Sequence, residues 1–525
     1  MTAEMLLQGA ALALTPMNIL FAIVGVSIGI SVGAMPGLGP TMAIAVMVPI
    51  TYQMSPETGL IMLVGVFAGS LYGGAITATM LGIPGTGADI PTMWEGYPLG
   101  QRGEAKRALS VAVISSSLGG TMSALSLILI APILAQFALR FGPPEFVALA
   151  VLGLGIIISL EAESFLRGVA SAALGLLVAA VGIDPMTGTR RLTFGQISLY
   201  EGVPFLALLI GIFAIPEIVR LATAPASSTD TDHRAHSKTP SGALELGGAV
   251  SSGRLRTMLR GGLQPGDGRL MAPKILRGGF WGVLIGVLPG AGGVIATFVA
   301  YNDAKRTAKH PELFGKGSVE GLATAEATNN GAVQSSLVPL LTLGIPGSAT
   351  AAVFLGALTI HGLRPGPFVF NDTTGTIAAF LVGALFVQFW LLILGRLGVP
   401  LFSRLMYTPR ALLVPVIVIF SVLGSYGDSN NTFAIWVMLG AGVLGIIMRH
   451  TGLSSGTFIL AVILAPILEE NFVRTLQLSR GDMTLFVSRP LTQVIYVFAL
   501  VTILGPLVAR VRRRARTRPA AKVSA

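Results

Sequence analysis

The 525-residue chain contains no cysteine and only five histidines. The lack of cysteine excludes disulfide bonds, thiolate metal sites and cysteine nucleophiles. The histidines form no HExxH pair, which excludes the zinc-protease signature. There is also no GxxxxGK[ST] motif, so the chain has no phosphate loop of its own for binding ATP.

Charged residues are scarce as well. They make up 11% of the chain, while 53% of its residues are hydrophobic and the mean hydropathy is +0.77. A soluble core cannot bury that many apolar side chains without leaving large wet patches, so the surplus must face lipid. One span needs roughly 20 apolar residues, and the apolar runs fit about 10–12 transmembrane helices plus shorter partial ones. We therefore expect an all-α polytopic membrane protein. The first residues lack a basic region and a cleavage site, so we expect no removable signal peptide.

The net charge of +11 does not indicate nucleic-acid binding. Fourteen of the 35 Lys and Arg residues lie in two places, 221–275 and the tail from 510 onward. Basic residues beside spans mark the cytoplasmic side and contact anionic lipid. We predict that the central linker and the C-terminus are cytoplasmic and that no nucleic acid is bound.

A polar segment divides the chain into two halves. Residues 222–270 are rich in Ser, Gly and Pro and lack helical periodicity, which is typical of a mobile linker. We therefore predict a first membrane repeat at 1–221, a cytoplasmic linker at 222–270, a second membrane repeat at 271–509 and a basic tail at 510–525.

The two halves share a pair of Pro-Gly motifs in the same order. The first half has GAMPGLG at 33–39 and then LGIPG at 81–85. The second half has GVLPGAG at 286–292 and then LGIPG at 343–347. Ordered recurrence of both motifs indicates an internal repeat.

The loop charges indicate that the halves are inverted. In the first half, the connection between the motifs (51–57) has no Lys or Arg, whereas the connection after LGIPG carries Arg102, Lys106 and Arg107. In the second half the basic residues lie between the motifs (305–316), and only Arg364 follows LGIPG. Equivalent loops then lie on opposite sides of the membrane, which is the inverted-topology arrangement of many secondary transporters.

The Pro-Gly motifs predict broken or re-entrant helices. Proline and glycine interrupt a helix, and freed backbone groups are tolerated in a membrane only inside protein or beside an aqueous cavity. A helix that begins at such a break directs N–H groups and its positive dipole end toward an anion. The alternative is a simple kink, since Pro, Gly, Ser and Thr are common in membrane helices. Taken together, the motifs and their polar neighbours predict a substrate-binding site formed by Pro36, Gly37, Gly39, Thr77, Thr79, Pro84, Gly85, Thr86, Pro289, Gly290, Gly292, Asn329, Asn330, Pro346, Gly347, Ser348 and Thr350.

Acidic residues inside membrane segments are costly and often functional. Most of those in this chain are expected near interfaces. Asp89, Glu326 and Asp428 lie closest to Gly-rich or amide-rich segments. We predict these three as candidates for coupling to H⁺ or Na⁺, with no other metal and no organic cofactor.

Two other functions fit parts of the sequence. Residues 452–456 (GLSSG) match the GxSxG motif of serine hydrolases, with Ser454 as the nucleophile. No histidine follows His450, so the necessary general base is missing from the sequence after that point. A passive anion channel would also be an apolar, Gly-rich membrane protein.

Several long motifs resemble the large membrane subunit of tripartite tricarboxylate transporters, the TctA-type family. They include GAMPGLGPTMAIAVMVPITY at 33–52, GSLYGGAITATMLGIPGTG at 69–87 and LVPLLTLGIPGSATAAVFLGAL at 337–358. The resemblance implies a secondary transporter of the bacterial inner membrane that is not an enzyme. It implies symport of a di- or tricarboxylate, driven by an ion gradient. It further implies two partners, a periplasmic substrate-binding protein and a small four-span membrane subunit.

Overall fold

The computed structural model describes residues 3–35, 37–160, 165–184, 186–223, 262–288, 292–372, 374–398, 410–429 and 431–516. In the described part of the first half the helices are α1 (Ala3–Ala13), α2 (Pro16–Gly33), α3 (Pro40–Thr51), α4 (Pro56–Leu81), α5 (Ile90–Gln101), α6 (Ala105–Ala138), α7 (Pro143–Leu160), α8 (Phe165–Ala179) and α9 (Phe205–Thr223). Two-residue strands β1 (Gly182–Ile183) and β2 (Arg190–Arg191) pair antiparallel between α8 and α9.

The second half is also helical. Its helices in the described ranges are α10 (Asp267–Gly286), α11 (Gly292–Arg306), α12 (Val319–Gly331), α13 (Leu337–Leu343), α14 (Ala349–Ile360), α15 (Val369–Asp372), α16 (Thr374–Leu397), α17 (Arg410–Ser429), α18 (Phe433–Thr451), α19 (Ser455–Leu478), α20 (Leu485–Ser488) and α21 (Pro490–Arg516). Helix α9 reaches two residues into the predicted linker, and α10 begins at Asp267, before the predicted linker ends. Residues 224–261 lie outside the described residues.

Among the described residues, seven helices are long and apolar enough to cross a membrane, and six further apolar helices are shorter. The predicted all-α polytopic class is confirmed. Two of the short helices, α3 and α14, begin directly after a Pro-Gly motif. They are short because the motif interrupts the helix, as expected for proline and glycine in an apolar segment.

The chain forms two compact units, and each half contributes to both. The first unit contains Met1–Ala138 and Pro204–Ile447, and the second contains Leu139–Val203 and Met448–Ala525. In the second unit α19 packs against α7 and α8, and α21 packs against α7. Buried Glu145 accepts hydrogen bonds there from Arg489 and Thr492. The predicted site residues lie in the first unit.

Within the first unit, the two halves use the same packing scheme. Helix α2 lies parallel to α4, and α10 lies parallel to α12. A methyl group added to Gly25, Gly29 or Gly33 would meet the backbone of α4 at 2.0–2.5 Å, and Gly278 and Gly282 approach the backbone of α12 in the same way. Glycines spaced by four residues allow two helix backbones to approach closely. The first break of each half therefore lies beside a helix of the same half, α4 in the first half and the end of α12 in the second.

The contacts between the halves follow a two-fold pattern. Helix α6 of the first half packs on α12 of the second, and α16 of the second packs on α4 of the first. Likewise α3 packs on α14, and α11 packs on the short turn Gly87–Asp89 and on α5. Each of these four cross-contacts thus has a counterpart with the halves exchanged.

The halves run antiparallel in the first unit. At one end the two basic connections meet, because the Arg102 guanidinium donates to the Lys316 carbonyl. At the other end the two connections poor in basic residues meet, with His361 Nε2 3.1 Å from Thr51 Oγ1. The path from α4 to α5 runs toward the basic end, whereas the path from α12 to α14 runs away from it. This arrangement is the one that loop charges predict.

An ion pair joins the halves at the basic end. Arg107, in the first turn of α6, donates two hydrogen bonds to Asp267 at the start of α10, at 2.9 and 2.6 Å. Burial acts to raise the pKa of Asp267, but hydrogen bonds from Arg107 and the Gln264 amide outweigh it and hold that pKa below its ordinary value. The pair therefore persists at neutral pH and is lost only as the pH falls through that lowered pKa of Asp267. It fixes where α10 begins.

Candidate functional site

The described parts of the four chain breaks lie beside two short stretches of the chain. These are Gly73–Gly74 of α4 in the first half and Ser335–Ser336 after α12 in the second half. In the first half, a methyl group added to Gly85 would lie 2.7 Å from the Cα atom of Gly74, and one added to Gly73 would lie 2.7 Å from the amide nitrogen of Ala34. In the second half, a methyl group added to Gly347 would lie 2.7 Å from the Ser336 carbonyl oxygen, and one added to Gly286 would lie 2.2 Å from the Ser335 hydroxyl oxygen. Both breaks of each half thus converge on a pair of adjacent small residues.

The two LGIPG motifs end their helices in the same way. Gly82 follows α4 with φ +67°, and Gly344 follows α13 with φ +73°. Both are left-handed conformations, which glycine adopts readily and which commonly end a helix. The following proline cannot donate a backbone hydrogen bond, so the chain doubles back toward Gly74 and Ser336 before the next helix starts.

New helices begin just after the breaks, and their first residues meet across the halves. Thr41 in α3 and Thr350 in α14 share a hydrogen bond of 2.8 Å between their hydroxyl oxygens. The Ser348 hydroxyl caps α14 by accepting a hydrogen bond from the Ala351 amide at 3.1 Å. At the two-fold related position, a methyl group added to Gly87 would lie 3.5 Å from Val294 in α11. The helix N-termini therefore gather in two related pairs.

Asp89 holds the first LGIPG turn in place. Its carboxylate is fully buried and accepts hydrogen bonds from the Thr86 amide at 2.6 Å and the Thr86 hydroxyl at 2.8 Å. Its other oxygen accepts from Asn329 Nδ2 at 2.8 Å. The Asn329 amide oxygen lies next to Gly293, so this side chain connects the turn to the start of α11. The bonds with Thr86 form a capping box, a structural role that explains the acid at this position.

Glu326 lies on α12 and is also fully buried. Its carboxylate accepts hydrogen bonds from the hydroxyls of Thr92 on α5 and Ser116 on α6. Among the described residues, no cation pairs with Glu326 or with Asp89. An ionised carboxylate without a counter-charge is costly in a membrane interior, which marks Glu326 as a place for a proton or a cation.

Two amides near Glu326 are buried with their polar atoms unused. Asn330 and Gln334 each have 0% exposure. Within the described ranges, the oxygen and the nitrogen of both side chains lack a hydrogen-bond partner, as does the Thr79 hydroxyl. Thr77 differs, because its hydroxyl donates to the Gly74 carbonyl at 2.9 Å. Buried polar groups are normally paired, so unpaired ones indicate an absent ligand or a functional role.

Some predicted residues cannot be placed. Pro36, Pro289 and Gly290 lie outside the described residues, and so does the side chain of Asp428. Gly37, Gly39, Pro84, Gly292 and Pro346 lie at the breaks themselves. Gly37 has φ +89°, and the Arg220 guanidinium fills the space that its side chain would occupy. Arg220 pairs with Glu217 on α9.

The sequence interpretation did not include Glu95, Thr92, Ser116, Gln334 or Arg220. Glu95 is fully buried on α5 and joins the two halves through hydrogen bonds. Its carboxylate accepts hydrogen bonds from the Tyr301 hydroxyl and from the amides of Gly315, Gly317 and Ser318, at 2.6–2.9 Å. The sequence could have predicted Gln334 as a site residue, because it follows Glu326 and Asn330 at four-residue spacing.

Other parts of the chain supply no competing polar site among the described residues. A cavity of about 700 Å³ lies in the second unit, but its lining is mainly apolar and includes none of the predicted residues. No group of three or more His, Cys, Asp or Glu suited to a metal ion occurs in the described ranges. Ser454 is the cap of α19, where its hydroxyl accepts a hydrogen bond from the Thr457 amide at 3.1 Å.

Antiparallel halves, interrupted helices and a buried polar site are together typical of secondary transporters. Comparison with known proteins gives the family. The chain belongs to the tripartite tricarboxylate transporter TctA family, whose profile matches residues 19–460. It is therefore a multi-pass membrane protein of a transporter family.

Two relatives come from Agrobacterium vitis. One is an uncharacterised 52.8 kDa protein in the TAR-I ttuC' 3' region, which is 37% identical over 510 residues, 96% of each chain. The other is an uncharacterised protein in the TAR-II ttuC' 3' region. It is 37% identical over 237 residues, which is 44% of this chain and 96% of that protein. No solved structure matches the chain.

Proposed function

We propose that this chain is the large membrane subunit of a tripartite system that takes up a di- or tricarboxylate across the bacterial inner membrane. A periplasmic binding protein delivers the substrate, a small four-span subunit accompanies the carrier, and a gradient of H⁺ or Na⁺ drives uptake. The linker lies in the cytoplasm, because it leads into the basic end of the first unit, which the positive-inside rule assigns to that side. The C-terminus is assigned to the same side by the seven basic residues of its own sequence from 510 onward.

One observation carries this proposal, the meeting of interrupted helices beside buried, unpaired polar side chains. Helix N-termini attract carboxylates through their free N–H groups and dipoles. Asn330 supplies an unused N–H donor, while Asn329 fixes the nearby turn. The substrate site comprises the four breaks with Thr79, Ser348 and Thr350. A site built from neutral donors binds an anion and still releases it readily.

The arrangement of the halves supports alternating access. Inverted repeats have two packings related by exchange of the halves, one open to each side of the membrane. The observed two-fold pattern of contacts in the first unit is the geometry that such an exchange requires. Asp89, Glu326 and Asp428 remain proposed coupling residues, with Glu326 ahead of Asp89 because Asp89 is already engaged in the capping box of the first LGIPG turn.

Uptake by the complete system in proteoliposomes tests the function. The carrier, the small subunit and the binding protein are combined, and labelled di- and tricarboxylates are offered with an imposed H⁺ or Na⁺ gradient. We expect accumulation against the substrate gradient, lost on addition of an ionophore and absent without the binding protein.

Two outcomes of that assay would contradict the proposal. Equilibration without accumulation, unaffected by the ionophore, would indicate a passive anion channel. Labelling of Ser454 by a fluorophosphonate probe, with no uptake under any gradient, would favour a membrane-embedded serine hydrolase.

A further inference from the structure

Three buried polar residues follow one another along α12 and the turn after it. Glu326, Asn330 and Gln334 are spaced by four residues, and none has any exposed surface. Side chains four residues apart in a helix are neighbours on the same face. The carboxylate of Glu326 and the amide of Asn330 can therefore reach a common ligand.

The hydrogen bonding of this row of three side chains, Glu326, Asn330 and Gln334, is incomplete. Among the described residues, Glu326 accepts hydrogen bonds only from the hydroxyls of Thr92 and Ser116, and each carboxylate oxygen can accept a further contact. The amide oxygens and nitrogens of Asn330 and Gln334 have no partner in the part of the chain that the structure describes. Leaving so many buried polar atoms unpaired is costly, which points to a missing occupant.

The chemistry of the row selects the occupant. A proton on Glu326 would neutralise its charge but would leave both amide oxygens unpaired. Water at the amides would need a separate proton on Glu326, whereas one cation meets both requirements at once. A hard cation binds carboxylate, amide and hydroxyl oxygens together. The row itself holds one carboxylate and otherwise neutral ligands, so a monovalent cation matches its charge. The nearby Asp89 carboxylate is already engaged with Thr86 and Asn329 and is not one of the ligands.

We propose that Glu326, Asn330 and Gln334 bind Na⁺ through their side-chain oxygens. The Asn330 amide then has two tasks. Its oxygen coordinates the ion, and its nitrogen stays available to donate to the transported carboxylate. Ion and substrate thus share one side chain, which favours their binding together. This inference rests on the proposed transport function for its role, but Na⁺ binding itself does not require transport.

Thermal denaturation of the purified full-length chain tests the site, with NaCl as the probe and KCl at equal ionic strength as the reference. We expect a saturable rise in Tm of about 3–8 °C with NaCl and no comparable rise with KCl. Glu326→Gln and Asn330→Ala should each remove the NaCl effect. Asn471→Ala is the matched control, because Asn471 is a partly buried amide in the second unit, hydrogen-bonded to the Ile467 carbonyl at 2.8 Å, and it should retain the effect.

Equal Tm values in NaCl and KCl for the unaltered protein would overturn the proposal. So would a NaCl effect that survives in both variants. If Glu326→Gln does not fold, binding of radioactive Na⁺ to Gln334→Ala and Asn330→Ala decides the matter, with at least tenfold weaker binding expected for each. Failure of uptake with an intact NaCl effect would count against the transport function alone, and driven uptake without any NaCl effect would count against the Na⁺ site alone.

Discussion

Replacing Asn330 by alanine is expected to lower carboxylate uptake at least tenfold, while Tm measured in KCl without Na⁺ stays unchanged or rises. The side chain is fully buried, and neither of its polar atoms has a partner in the described residues. An unpaired buried polar group costs about 1–3 kcal/mol, so its removal relieves a penalty that offsets the small cavity left behind. Stability given up at one position in this way is typical of functional residues.

The measurement is uptake in proteoliposomes containing equal amounts of folded carrier, beside a melting curve for the same preparation. Asn18→Ala is the matched control. Asn18 is also buried, at 2% exposure, but its amide donates to the Leu12 carbonyl and accepts from the Thr58 hydroxyl. This variant should lower Tm and should leave uptake per folded molecule intact. A large drop in Tm for Asn330→Ala in KCl, where no Na⁺ contributes, would assign that residue a structural role instead.

Replacing Glu95 by glutamine is expected to lower the stability of the carrier by about 3 kcal/mol or more, since hydrogen bonds to a buried charged group are strong. Glu95 accepts from four donors, three of them backbone amides at 315–318. Glutamine keeps the shape but presents an NH₂ group to N–H or O–H donors. The start of α12 would then lose its anchor on α5.

Folded yield and Tm of Glu95→Gln in detergent measure this effect. The control is Glu312→Gln, in the connection between α11 and α12 that also contains 315–318. The Glu312 side chain is 62% exposed and pairs only with His310 among the described residues. This variant should change Tm little, as expected for a surface ion pair. Equal Tm values for the two variants would show that Glu95 does not hold the halves together.

Local chemistry made the breaks and the inversion predictable. A single proline such as Pro132 lies inside a continuous helix, but a proline with a glycine close by on both sides favours a break. LGIPG therefore marked both turns without any knowledge of the partner segments. The basic residues at 102–107 and 305–316 indicated the antiparallel halves, because loop charge determines insertion. The coincidence of these two connections at one end of the first unit agrees with that reading.

Long-range contacts were beyond the sequence. Glu95 meets donors more than 200 positions away, and nothing near it in the chain signals this partner. The split into two units has the same cause, since residues 139–203 associate with 448–525 across the whole chain. Asp89 shows a different limit. Its spacing from Thr86 matches a capping box, yet the same residue also satisfies the pattern of an intramembrane coupling acid.

The meeting of the breaks is the central claim, and a disulfide cross-link tests it most directly. The chain has no cysteine, so only introduced residues can react. Thr41→Cys and Thr350→Cys are combined with a protease site inserted within 224–261. The hydroxyl oxygens of the native Thr41 and Thr350 are 2.8 Å apart, so cysteines at these two positions are close enough to form a disulfide. The control pairs Thr41→Cys with Thr359→Cys, nine residues and about 13 Å further along α14.

After oxidation and cleavage, the two fragments of the Thr41–Thr350 variant should stay joined without reductant and separate with it. The control fragments should separate in both conditions. Separation of the Thr41–Thr350 fragments without reductant, or equal cross-linking in the control, would show that the interrupted helices of the two halves do not meet.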